Sequence, residues 1–162
     1  MTDQSDPLEL RSILTSTKVG ELTLAMRPTL SPSDEVSKAA QEMRKVVHGC
    51  VVIVDDDNKL VGIFTERDLL KVIASKGSLD VPLAETMTLH PQTISIDETL
   101  FDATRLMDEG GYRRLPVIDS AGIPVGIVDV KTVSHFLVEH FPNTIYSQAS
   151  QSEMTLKNRE GA

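Results

Sequence analysis

One cysteine, Cys50, is too few for an internal disulfide, and tryptophan is absent. Aromatic residues make up only 4% of the chain, so any core must be built from aliphatic side chains, which a 40% hydrophobic share across 162 residues permits. Positive charge is scarce as well: 16 Lys and Arg face 24 Asp and Glu, a formal net charge of −8. That balance argues against a general binder of nucleic acid or anionic membrane, since both attract proteins through Lys and Arg at long range. A local basic pocket stays compatible with it. The longest apolar run, Cys50 to Val54, is strand-sized and far below the roughly 20 residues that cross a bilayer. The first residues, Met-Thr-Asp-Gln-Ser-Asp, are acidic where a secretory signal is basic and then apolar. A cytosolic protein of one domain, or two small ones, is expected.

What the chain does contain is a duplication. Gly62-Ile63-Phe64 and Gly126-Ile127-Val128 align at an offset of 64 (126 − 62), and the same offset pairs Glu21 with Glu85, Val36 with Leu100, Ala39 with Ala103, Met43 with Met107, Asp55 with Asp119 and Val61 with Val125. One register held over so many apolar and turn positions marks two copies of one unit. The expected organisation is an N-terminal extension over 1–18, a first unit over 19–77, a linker over 78–82, a second unit over 83–141 and a flexible tail over 142–162.

Each copy reads as β-α-β-β-α. In the first, Thr29–Ser31 is extended and the apolar stripe Val36, Ala39, Ala40, Met43, Val46, Val47 predicts an amphipathic helix over 34–47 with Gly49 at its C-terminal cap. Cys50–Val54, continuous and β-branched, predicts a strand buried on both faces. Asp55-Asp56-Asp57-Asn58 turns the chain into a strand over 60–64, and a helix follows over 66–74. The second copy predicts strands over 93–96, 115–118 and 124–128, with helices over 98–109 and 131–141. Neither copy has strands enough to close a sheet core alone. The expected fold is therefore mixed α/β (α+β), with two tandem units packed about a pseudo-twofold axis and a cleft between them.

Two segments carry a family resemblance. Gly62-Ile63-Phe64-Thr65-Glu66-Arg67-Asp68 matches a Gly-h-x-Thr-x-x-Asp signature, where h is hydrophobic, and Leu115-Pro116-Val117-Ile118-Asp119 matches a buried-strand signature. Over residues 19 to 140 the chain resembles a pair of CBS domains, the modules named after cystathionine β-synthase that associate as a Bateman module. The resemblance implies a non-catalytic sensor. Such a module binds AMP, ADP, ATP or S-adenosylmethionine between its halves, with Mg²⁺ an option beside ATP, forms a homodimer through its helices and regulates another protein.

The residues themselves fit that chemistry. Thr65 ends a strand and opens a helix, where free backbone N–H groups and the helix dipole favour a phosphate. One turn on, Asp68 can accept hydrogen bonds from vicinal ribose hydroxyls. Leu30, Val51 and Ile63 are candidates for an apolar adenine slot. Arg113 and Arg114 offer charge to the phosphates, and His48 is a partial substitute in the first copy, where Gly49-Cys50 aligns with that pair. On this reading Asp68→Ala weakens nucleotide binding with little loss of stability. The second copy departs from the signature: Asp129 stands where Thr65 does and Thr132 where Asp68 does, so a carboxylate occupies the phosphate position and one good site, in the first copy, is expected.

Plainer readings stand beside these. Thr65-x-x-Asp68 is also the pattern of a capping box. Arg113 and Arg114 are also ordinary solvated charges at a strand entrance, and His48 complements a helix dipole. Cys50 fits core packing better than nucleophilic chemistry. His135 and Glu139 share i, i+4 spacing but lack further metal ligands. Asp55–Lys59 lacks the glycine of a calcium loop and reads as a hairpin turn. Leu69, Leu70, Val72 and Ile73, with Val133, Phe136, Leu137 and Val138, exceed one helix face and suit a partner surface, unless Leu8–Leu14 or the tail covers them. The alternative function is a constitutive scaffold with an empty cleft. No Gly-Lys-Ser/Thr loop, metal cluster or nucleophile–base pair supports an enzyme.

Overall fold

Pro7 opens a helix, α1 (Pro7–Ser16), ahead of the repeats in a computed structural model that describes residues 7–26, 28–46 and 49–140. The first copy then contributes β1 (Thr29–Leu30), α2 (Val36–Val46), β2 (Cys50–Val54), β3 (Leu60–Thr65) and α3 (Glu66–Ala74). The second copy contributes a short strand, β4 (Thr88–Leu89), then β5 (Ile94–Ser95), α4 (Leu100–Gly110), β6 (Arg114–Ile118), β7 (Pro124–Asp129) and α5 (Val130–His140). His48, Val47, Phe141 and the expected tail lie outside the described residues.

The duplication is visible as two sheets with the same register. β1 runs parallel to β2 and β2 antiparallel to β3, with Cys50 opposite Thr65; β5, β6 and β7 repeat this, with Arg114 opposite Asp129. Even the irregularity in the ladder recurs 64 residues on, at Ile53/Val54 and Val117/Ile118. The turns repeat too. Asp55 Oδ1 accepts from the N–H groups of Asp57 and Lys59, and Asp119 Oδ1 from those of Ala121 and Ile123, so these carboxylates hold hairpins.

The two lobes exchange their leading segments. Residues 17–25 pack on the second copy, where Val19 is fully buried with Ile94, Leu100, Leu115 and Val128. Residues 79–89 pack on the first, where Leu83 is fully buried with Val36, Val51, Ile53 and Phe64. Matching backbone bonds fix the exchange. Val19 N–H donates to Glu98 O at 2.8 Å and Gly20 N–H to Ile96 O at 2.9 Å, while Leu83 N–H donates to Asp34 O at 2.8 Å and Ala84 N–H to Pro32 O at 2.9 Å. The expected linker over 78–82 is thus no free tether: Leu79 and Val81 carbonyls accept from Ser37 and Val36. Glycine makes the close approach workable. A Cβ on Gly126 would fall 2.8 Å from Leu24 Cβ, and one on Gly62 would fall 2.6 Å from Met87 Sδ.

β2 is buried on both faces, as its composition predicts. Val51 and Ile53 face the helices of their own lobe, whereas Cys50 and Val52 join Ile63 and Ile127 in a separate cluster between the lobes. Leu60 N–H also crosses to Gly122 O at 3.1 Å. Gly49 sits buried at the entrance to β2, and the helix end it was expected to cap runs into residues 47 and 48, outside the described residues; Gly111, at φ 64°, closes α4.

Candidate functional site

Asp68 is 5% exposed, and its carboxylate is engaged within its own helix turn. Oδ2 accepts from Thr65 N–H at 3.0 Å and from Thr65 Oγ1–H at 2.7 Å, while Asp68 N–H reaches back to Thr65 Oγ1 at 3.4 Å. This is a complete capping box. Oδ1 pairs with Lys71 Nζ at 3.1 Å. A ribose at Asp68 therefore has to share these oxygens with the cap or displace an exposed lysine.

The adenine slot expected from Leu30, Val51 and Ile63 does not assemble. Val51 pairs with Phe64 and Val52 with Ile63, so the pleat turns Val51 and Ile63 to opposite faces of the sheet. Leu30 and Val51 are packed in the first lobe's core, and Ile63 lies between the lobes. The two arginines diverge as well. Arg113 is exposed, whereas Arg114 is half-buried and its guanidinium donates across the lobe boundary to Gly49 O at 3.4 Å. His48 falls outside the described residues.

A cavity of about 870 Å³ opens at the second copy. Its walls are the exchanged segment, through Thr17, Glu21, Leu22, Thr23 and Ala25; the β6 and β7 ends, through Arg114 and Asp129; and α5, through Lys131, Thr132, His135 and Phe136. Gly49 supplies the first lobe's contribution, and Glu139 and His140 stand farther along α5. Of the described residues expected to hold the ligand, Arg114 alone lines it; the Asp129 and Thr132 pair, expected to be the poorer site, lies in its wall. Asp129 Oδ1 accepts from Thr132 N–H at 2.8 Å and from Thr132 Oγ1–H at 2.9 Å, a carboxylate version of the cap that Thr65 makes. The Phe136 and His140 rings stack at 4.1 Å and add an apolar face. Segment 17–25 was invisible to motif reading because it belongs in sequence to the first copy. Its only signal was the offset itself, which aligns Val19 with Leu83.

His135 and Glu139, exposed, pair at 3.3 Å. Among the described residues no cluster of three or more His, Cys, Asp or Glu is placed to hold a metal ion, and no helix is long and apolar enough to cross a membrane. Cys50 is fully buried between the lobes, in the packing role its position predicts.

The family model of the CBS domain matches residues 19–75 and 80–139, the two halves of the duplication. The chain belongs to the CBS domain family. Among its relatives is a 17.7 kDa protein of Acidianus ambivalens, 33% identical over 124 residues that span 76% of this chain and 75% of the other. A CBS domain-containing protein of Arabidopsis thaliana, CBSCBSPB3, is 36% identical over 71% of this chain, which spans only 21% of that protein's length. Among solved CBS structures, CBSX2 in complex with AMP superposes with a TM-score of 0.68 at 27% identity, covering 76% of this chain and 98% of the other. The CBS pair of protein MJ0100 in complex with 5′-methylthioadenosine and S-adenosyl-L-methionine gives 0.68 at 28% identity, with the same coverage.

Proposed function

We propose that this CBS pair is a ligand-sensing module that binds an adenosine compound, AMP, ADP, ATP or S-adenosylmethionine, between its lobes and passes the binding on to another protein. The observation that carries the reading is the cavity, whose walls combine the exchanged segment, the β7–α5 junction of the second copy and Gly49 of the first. A ligand there touches pieces from both halves of the sequence and stabilises their packing in proportion to its difference in affinity between conformations. The adenosine ligands of CBSX2 and MJ0100 supply the chemical class. Asp68 remains a candidate for ribose in the first copy through Oδ1, with Thr65 beside it. The reading assigns no catalytic step.

Isothermal titration calorimetry of the purified chain with AMP, ATP with and without Mg²⁺, 5′-methylthioadenosine and S-adenosylmethionine tests it. At least one compound is expected to bind with one or two sites per chain and to raise the melting temperature. Silence from all of them would leave the second reading, a constitutive scaffold, which the closed capping box at Asp68 favours.

Self-association belongs to the same proposal. Leu70 and Ile73 on α3 are 65% and 55% exposed, and Val130 and Val138 on α5 are exposed as well. These faces suit a second copy of the chain. Analytical ultracentrifugation is expected to show a dimer that Ile73→Glu weakens.

A further inference from the structure

Thr17 belongs to two parts of the molecule at once. It follows α1 directly, its N–H completing the last turn on Ile13 O at 2.9 Å, and it stands in the cavity wall. Its carbonyl accepts from Leu100 N–H, at the start of α4, at 2.9 Å, and the Val19 and Gly20 bonds to Glu98 and Ile96 continue that ladder. Glu21 and Leu22 carry the wall onward, with the Glu21 carboxylate accepting from Lys18 N–H at 2.9 Å to close the turn. The helix, the wall and the start of α4 are thus joined through consecutive residues.

The helix itself is loosely held. α1 packs on α4, yet over residues 10–16 no side chain is buried: Ile13 and Leu14 are half-buried, and Leu14 packs against the core that holds Val19 and Leu100. The side-chain hydrogen bonds described for it, from Thr15 to the Arg11 and Ser12 carbonyls and from Ser16 to the Ile13 carbonyl, stay within the helix. The corresponding wall of the first lobe, residues 81–89, comes after α3, which buries Asp68 and Val72. A helix of ten residues is marginal alone in water, so α1 persists through its docking, and an element with few buried contacts opens at less cost than the whole fold. A ligand seated against 17–25 restrains the stretch to which α1 is attached and so lowers the ordering cost of docking it.

We propose that α1 reports occupancy of the cavity at the molecular surface: a bound ligand tightens the helix on α4, and emptying the cavity releases it. The inference rests on the adenosine reading above for the identity of the ligand and adds the moving element. Linkage is reciprocal, so a docked α1 raises ligand affinity by the factor by which ligand favours docking.

Hydrogen exchange of the full chain, alone and with AMP, 5′-methylthioadenosine or S-adenosylmethionine at concentrations that saturate calorimetry, reads the docking directly. The α1 amides are expected to exchange at least about fivefold more slowly with ligand, while those of α2, which contributes no described residue to the wall, change less. Ser12→Pro breaks α1 at an exposed position without removing a core side chain, and is expected to weaken the same ligand by about fivefold while the chain keeps a cooperative melt. Ser12→Ala, which favours the helix, is expected not to weaken it. A ligand that binds with α1 exchange unchanged, or with an affinity unmoved by Ser12→Pro, would overturn the coupling and leave the adenosine reading intact. Should Ser12→Pro lose its cooperative melt, exchange in the unaltered chain decides alone. No binding by any of the three compounds would overturn the adenosine reading and the inference together.

Discussion

Three carboxylates in this protein act first as structural groups of their own helix turns. Asp68 and Asp102 complete capping boxes with Thr65 and Thr99, and Asp129 caps the first turn of α5 through Thr132. Because Asp68 is buried and doubly bonded to Thr65, Asp68→Ala is expected to cost about 1 to 2 kcal/mol in chemical denaturation, more than an exposed ligand contact would. A double-mutant cycle with Thr65→Ala should show coupling of about 0.5 kcal/mol or more, and strict additivity would deny the box. Acid stability follows from the same chemistry. Hydrogen bonds from the Thr99 hydroxyl and backbone hold Asp102 below its ordinary value of 3.8, and the Lys38 hydrogen bond, with one from Ser31 N–H, does the same for Asp34. A lowered native value means that the stabilisation is present above pH 3.8 and is lost as pH falls through the lower folded value. Asp102→Asn should therefore flatten the acid limb of a stability–pH profile below that point, and an unchanged limb would contradict the assignment.

At the scale of elements, the exchanged segments do the joining. A Cβ at Gly126 has no room beside Leu24, so Gly126→Ala is expected to cost about 1 to 3 kcal/mol, with Gly62→Ala milder because Met87 can move its thioether. Leu83→Ala, which hollows the first lobe's core from the other copy's leading segment, is expected to cost about 2 to 5 kcal/mol. Denaturant melts of the three variants check these values. The long elements were legible in the residues alone: the stripe Val36, Ala39, Met43 carries a helical period, and the unbroken, β-branched Cys50–Val54 is too short for a helix and suits a strand buried on both faces. The 64-residue offset also marked both members of each core pair, and Val36 with Leu100, Ala39 with Ala103 and Met43 with Met107 are all buried. Two short pieces were not legible. β4 has two residues and owes its existence to pairing with Gly62 and Ile63, and α1 shows little periodic signal apart from Pro7 at its start. Nor does a repeat reveal which lobe a leading segment joins, because that choice is made by tertiary packing on Val19 and Leu83. The site suffered for the same reason. The signature located Asp68 and the Asp129 exchange, but the cavity wall over 17–25 depends on the crossover, and the Leu30–Val51–Ile63 slot ignored the two faces of a strand.

Across the whole molecule, the exchange makes the two copies one folding unit. Residues 83–140 alone would leave the second lobe's core without Val19, Leu22 and Leu24, and its cavity without a wall. That fragment is expected to show no cooperative melt by circular dichroism, while the full chain melts in a single transition; an autonomous, sharply melting fragment would remove the structural basis for coupling between lobes. The cavity then sits where occupancy can report on how the lobes pack. The most direct measurement is a crystal structure of the full chain grown with S-adenosylmethionine or 5′-methylthioadenosine at a concentration that saturates calorimetry. The account predicts an adenosine moiety between the lobes, its ribose at Thr132 and its base against residues 17–25. A compound bound on the outer helix faces, or a cavity left empty beneath a saturated titration, would contradict it.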